Sequence, residues 1–225
     1  MRSTVSKSVN IDVLRSRGKS GATVIKLMMA CNDMSLANQA LGEWRKPQLP
    51  HKTYRQKGAG MYFIRTQMSH LYEGFQVIDE ISKDPLLLRV VENCDIRTKQ
   101  SFDQLIRFLP KGDRRAELES LIGIIRSTMT FHYDESSKLI TRAIEDLASQ
   151  SSTRISSITR GNRAHFWNFK VADEIANNVV VHQIWKIDKN SDVDEKADEM
   201  ADKMDEVFLC FMDFAGEFIW KYCSS

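Results

Sequence analysis

The chain has 225 residues, of which 42% are apolar and 28% charged, a balance that suits one large helical domain or two small ones and argues against wholesale disorder. Four prolines and ten glycines are few for this length, so helices can run long and an all-β fold is disfavoured. Net charge is only +2, but residues 1–57 carry eleven Lys or Arg against Asp12, Asp33 and Glu43, and the balance turns acidic between Asp173 and Glu206.

The first 19 residues mix Ser, Gly and basic side chains without apolar periodicity, and read as a flexible basic arm outside the core. They hold no apolar stretch of the secretory kind, and no window reaches the roughly 18 apolar residues that a membrane span requires. A cytoplasmic chain with no membrane is expected. Residues 20–225 are expected to form a single helical domain.

A first helix is predicted over about Ser20 to Trp44, where Val24, Leu27, Cys31 and Met34 recur at helical spacing, and it stops before Pro47 and Pro50. A second, long helix is predicted from about Thr53 to Ser82, its core face formed by Met61, Ile64, Met68, Leu71, Phe75 and Ile78. Pro85 suits the first turn of a short helix, and another carries Phe102, Leu105, Ile106 and Leu109 up to Pro110.

Leu118, Leu121, Ile122, Ile125 and Met129 mark an amphipathic helix, and Asp134 is read as the N-cap of the one after it. Residues 149–168, rich in Ser, Thr and Arg, read as a long loop or small irregular insertion. Helix resumes at about Phe169 to Ile187. The last runs from about Val193 to Tyr222, with an aromatic stripe that suits a deep seam or a dimer contact. The fold class is therefore all-α, a bundle of about six to eight helices.

Cys31, Cys94, Cys210 and Cys223 lack CxxC spacing, so reduced thiols are expected rather than a zinc site or a disulfide framework. No glycine-rich phosphate loop, nucleophile elbow or HExxH is present. His70 and Glu73 lie one turn apart, but a bundle metal site needs a matching pair on a facing helix, which is missing. No cofactor or metal is expected.

One segment offers chemistry. GIIRSTMTFHYDE places Arg126 and His132 near the end of an amphipathic helix. An Arg, four to six residues and a His in an all-helical chain resembles the HEPN superfamily, many of whose members are dimeric, metal-independent ribonucleases acting as toxins or defence proteins. The resemblance covers the spacing, the helical setting and the all-α context; Ser127 stands where the family commonly has Asn. It implies that His132 is the acid/base on a ribose 2′-hydroxyl, while Arg126 stabilises charge on the phosphate and Ser127 assists binding.

Six steps of about 100° would set Arg126 and His132 roughly 120° apart on a straight helix. They meet only if the helix distorts near Thr128–Thr130 or if two subunits share the site. Arg45/His51, Arg65/His70 and Arg160/His165 also fit the spacing, so four of the five histidines qualify. The structural alternative is that His132 satisfies a buried hydrogen bond and Arg126 pairs with Asp134 or Glu119.

The stretch RISSITRGNRAHFWNF adds Arg160, Arg163 and His165 beside Phe166 and Trp167, a mix able to grip a single strand, although Trp167 also suits a core anchor. The basic N-terminal quarter either attracts RNA or forms a solvated surface facing the acidic run. Two functions follow: an RNA-binding or ribonucleolytic homodimer centred on Arg126 and His132, or a non-catalytic helical interaction module or homodimeric scaffold that takes a protein partner through its acidic helices or its aromatic seam.

Overall fold

A computed structural model describes residues 6–46, 54–130, 135–149, 155–160, 168–189 and 193–224. The all-α expectation holds: these residues are mostly helical and pack around one continuous apolar core. No helix among them is long and apolar enough to cross a membrane.

The chain opens with α1 (Ile11–Ser16) and turns at Gly18, whose φ of 55° favours glycine, into α2 (Gly18–Arg45). Of the arm expected over residues 1–19, Ile11–Ser16 and the residues from Gly18 onward are helical instead. Leu14 enters the core, and Gly21 packs so tightly on its carbonyl that a Cβ there would lie 2.3 Å from the oxygen. The basic residues are used as well. Lys7 and Arg17 reach the end of the last helix, donating to the carbonyls of Trp220 at 3.4 Å and Tyr222 at 3.1 Å, where cations complement the unpaired carbonyls. Both also lie over the rings of those residues.

Helix α3 (Tyr54–Ser82) runs antiparallel to α2: Trp44 lies on Gly60, Asp33 faces His70, and Thr23 donates to Glu80. Asp84 caps α4 (Pro85–Glu92) by accepting from the Leu86 and Leu87 amides, and takes a 2.6 Å bond from Ser20. Asp95 caps α5 (Ile96–Ile106) through the Thr98 amide.

Helix α6 (Arg115–Leu118) continues as two π-helical stretches, π1 (Glu119–Gly123) and π2 (Arg126–Thr130). Helix α7 (Lys138–Ser149) begins four residues beyond the expected cap; its Lys138 amide is met by the Ser136 hydroxyl at 3.3 Å, and Asp134 lies outside the described residues. In the 149–168 segment the described residues form a short antiparallel ladder, β1 (Ile158–Thr159) against β2 (Asn168–Phe169), an irregular insertion of the kind expected.

Helix α8 (Lys170–Asn178) widens into π3 (Val179–Ile184), and α9 (Val193–Tyr222) closes the bundle. The aromatic stripe of α9 is spent on the chain's own core. Phe211, Phe214 and Phe218 are fully buried, Phe214 lies 5.0 Å from Phe102, and Gly74 of α3 leaves the gap that Phe211 fills. It is therefore a seam within one chain, not an exposed dimer face. The four cysteines are free, and burial pushes the Cys31 thiol up to about 11.

Candidate functional site

The site grows from the contact between α3 and the widened α6 helix. In a π-helix each N–H reaches back five residues instead of four, an arrangement common at functional sites. Gly123 lies in π1, and the Glu119 carboxylate folds into the space that a Cβ would take, 1.8 Å from the Cβ position. Glu119 is thereby turned toward α3.

There Tyr72 donates to Glu119 Oε1 at 3.0 Å and accepts from Arg115 Nη2 at 3.0 Å, and Arg115 also pairs with Glu119 directly. Burial first, then the Glu119 bond, pushes the Tyr72 phenol above its ordinary value against the opposing pull of Arg115.

Arg126, the first residue of π2, donates Nε to Glu73 Oε1 at 2.7 Å, and its guanidinium carbon lies 5.9 Å from the Tyr72 ring centre. The sequence offered Asp134 or Glu119 as a structural partner. Glu73 takes that place because α3 faces π2, a pairing 53 residues apart that local spacing does not reveal. About a third of the Arg126 side chain (35%) stays exposed, and Nε is the nitrogen engaged among the described residues.

Ser127 does not join this group: it is exposed and donates to the Ile124 carbonyl of its own helix at 3.1 Å. His132, Arg163 and His165 lie outside the described residues, as does His51. Arg160 is exposed just after β1, on the ladder that packs against α8 rather than on the helix pair carrying Arg126. The segment Arg126–Thr130 departs from regular α-helix geometry by π-widening.

The alternative pair Arg65/His70 comes apart. Five steps on a helix leave roughly 140° between them. Arg65 turns to π2, donating Nη1 to the Met129 carbonyl at 2.7 Å, while His70 turns to α2 with Nδ1 3.8 Å from Asp33 Oδ2. Glu73 and His70 also line a groove of about 480 Å³ between α2 and α3, with Lys26, Asp33, Gln76 and Glu80. Among the described residues no group of three His, Cys, Asp or Glu is placed to hold a metal.

Sequence reasoning missed Tyr72 and Arg115 and named Glu119 only as a possible partner of Arg126, because Tyr72 reads as one more residue of an amphipathic helix and the other two as an ordinary i, i+4 surface pair. Gly123 inside an apolar helical pattern was the available signal. No family model, curated protein or solved structure matches the chain.

Proposed function

We propose that the chain is a HEPN-like RNA-binding protein and metal-independent endoribonuclease, in which Arg126 holds the phosphate and His132 handles the protons. The observation that carries this reading is Arg126 itself: a half-buried guanidinium at the start of a widened turn, six residues before His132, tethered through Nε to a carboxylate. Its Nη groups then supply the planar fork that suits a phosphate edge.

In the reaction so read, His132 takes the proton of a ribose 2′-hydroxyl, whose oxygen attacks the neighbouring phosphorus. The bond from phosphorus to the 5′-oxygen breaks, and that oxygen is reprotonated, giving a 2′,3′-cyclic phosphate and a 5′-hydroxyl. Arg126 offsets charge gathering on the phosphate oxygens. The deciding experiment is cleavage of mixed RNA by the purified protein in EDTA, with Arg126→Ala and His132→Ala as comparisons. Activity that persists in EDTA and vanishes in both folded variants supports the assignment; activity unchanged in them removes Arg126 and His132 from the chemistry.

A second reading, a homodimeric or partner-binding helical module, draws on a different face. Ile144, Ile158 and Val171 are exposed and line a groove of about 330 Å³ between α7, β1 and α8, an apolar grouping of the kind that marks interaction surfaces. A dimer assembling there would be lost on Ile158→Asp, as read by sedimentation velocity. A wild-type chain that sediments as a monomer at high concentration counts against that dimer.

A further inference from the structure

Two guanidinium groups lie against the ring of one tyrosine. Arg115 lies 5.5 Å and Arg126 5.9 Å from the Tyr72 ring centre, so their guanidinium carbons can be no farther apart than the sum of those distances. Each is matched by a carboxylate, Glu119 for Arg115 and Glu73 for Arg126. In both pairs the acid is the more exposed partner: Arg115 is 23% exposed against 42% for Glu119, and Arg126 35% against 44% for Glu73. The arginines are the better-buried members of the two pairs, and the glutamates the more open to solvent.

We propose that Arg115 is a second phosphate-binding arginine beside Arg126, and that Glu119 and Glu73 occupy the two cation sites until the backbone of a single-stranded RNA displaces them. This rests on the reading that Arg126 meets RNA, and extends it to a neighbouring phosphate and to the groups that compete for it.

The chemistry favours exchange. Exposed ion pairs hold little free energy, so swinging a glutamate aside costs little. A phosphate on a planar guanidinium gains charge-assisted bonds, and releases counterions from the strand as well. The arginines do not need to move. Tyr72 presents its ring to both, and Arg115 is held in addition by the Tyr72 hydroxyl and by a long 3.5 Å bond to the Phe108 carbonyl. The Glu119 side chain is 42% exposed, so a displaced carboxylate can turn into solvent. Only Gly123 allows it to fold inward at all.

The test measures binding of a fluorescein-labelled single-stranded RNA oligonucleotide with 2′-O-methyl riboses, which lack the attacking hydroxyl and so stay intact, to the full chain by anisotropy in EDTA, over a series of salt concentrations. Wild type is compared with Arg115→Gln, Glu119→Gln and Arg126→Gln, each checked for folding by circular dichroism. Arg115→Gln is expected to weaken binding and to lower the slope of log affinity against log salt by about 0.7, the share of one phosphate contact on a single strand. Glu119→Gln is expected to tighten binding by up to about fivefold, matching the worth of one exposed ion pair.

If Arg115→Gln leaves affinity and slope unchanged while Arg126→Gln lowers both, this inference fails and the reading of Arg126 stands. A change in melting temperature without a change in slope makes Arg115 structural, and also overturns it. Equal or weaker binding by Glu119→Gln removes the competing role of the carboxylate, and that variant decides the matter if Arg115→Gln does not fold. No RNA binding by the wild type overturns both readings together.

Discussion

Arg65 and Arg126 brace the same pair of helices in opposite directions. Arg65 leaves α3 to bond the Met129 carbonyl near the end of π2, and Arg126 leaves the start of π2 to bond Glu73 on α3, each at 2.7 Å. Thr130 adds a 3.4 Å bond to the Arg65 carbonyl. The widened turn is thus held to α3 at both ends, and the chain that leads on to His132 departs from a fixed point.

The two braces differ in environment. The Nε of Arg65 is shut off from solvent, whereas the Arg126–Glu73 pair is well over a third exposed on its acidic side. Arg65→Gln is therefore expected to cost about 1.5–3 kcal/mol, the range for a bond from a charged donor, and Glu73→Gln less than about 1 kcal/mol. Urea midpoints measure both, and the reverse order contradicts the account. A pH signature accompanies Arg65→Gln. Burial pushes the Asp173 carboxyl up, with Arg65 pulling it back down. Losing the cation raises it further, so the folded state holds that proton more tightly than the unfolded chain does. Stability from this source is present below the ordinary carboxylate range and falls as pH rises through the folded value, making the deficit larger at neutral pH than in acid.

Gly123→Ala separates the role of Glu119 from helix propensity. Alanine is worth about 1 kcal/mol over glycine inside a helix, but its Cβ would occupy the place of the Glu119 carboxylate. Because the end of a flexible side chain gives way before backbone does, Glu119 is expected to swing outward while the fold persists. The Tyr72 phenol then loses an acceptor that raises its pKa, and is expected to titrate lower by ultraviolet absorbance. A Tyr72 titration unmoved in Gly123→Ala would mean that the Glu119 bond does not govern it.

Long apolar periods made the bundle legible. The ends expected for the last helix, Val193 and Tyr222, are those found, and the second helix begins one residue from the expected Thr53, because a repeated stripe carries its own boundaries. IDVL was too short to show a period, so α1 was missed although Leu14 packs in the core. The π-widening escaped notice for another reason: Leu118, Ile122, Ile125 and Met129 suit an ordinary helix as well, and the extra backbone reach leaves no mark on so short a pattern. Arg126 was legible as a candidate. Its tether to Glu73 was not, since it depends on how two distant helices face each other.

Asp84 joins two segments, capping α4 while accepting from Ser20 of α2. Burial opposes its charge, but the bonds from Ser20 and the Leu86 and Leu87 amides prevail and hold its carboxyl below the ordinary value. Asp84→Ala is expected to cost about 1–2 kcal/mol near neutral pH. A lowered folded value means that this contribution is present above the unfolded pKa and is lost as pH falls through the folded one. The stability curves of wild type and Asp84→Ala should therefore converge in acid, as followed by thermal unfolding over a pH series. A gap that stays constant into strong acid would show that the carboxylate charge is not its source.

Gly74→Ala tests the seam between α3 and α9 against the same helix propensity that Gly123→Ala meets. A Cβ at Gly74 would lie 2.8 Å from two ring atoms of Phe211, with the Met34 methyl 3.5 Å away. Unlike Glu119, Phe211 has no route outward: it is fully buried and its ring packs against Phe75 at 6.3 Å. Overpacking of about 1–3 kcal/mol is therefore expected to outweigh the gain of about 1 kcal/mol from alanine, and the variant should be less stable. Phe211→Leu alone should also destabilise by leaving a void. Combined with Gly74→Ala, the smaller side chain gives the new methyl room, so the double variant should lose less than the two single losses added together. Strict additivity in urea unfolding would show that Gly74 and Phe211 do not share this space, and that the close approach of α9 to α3 has another cause.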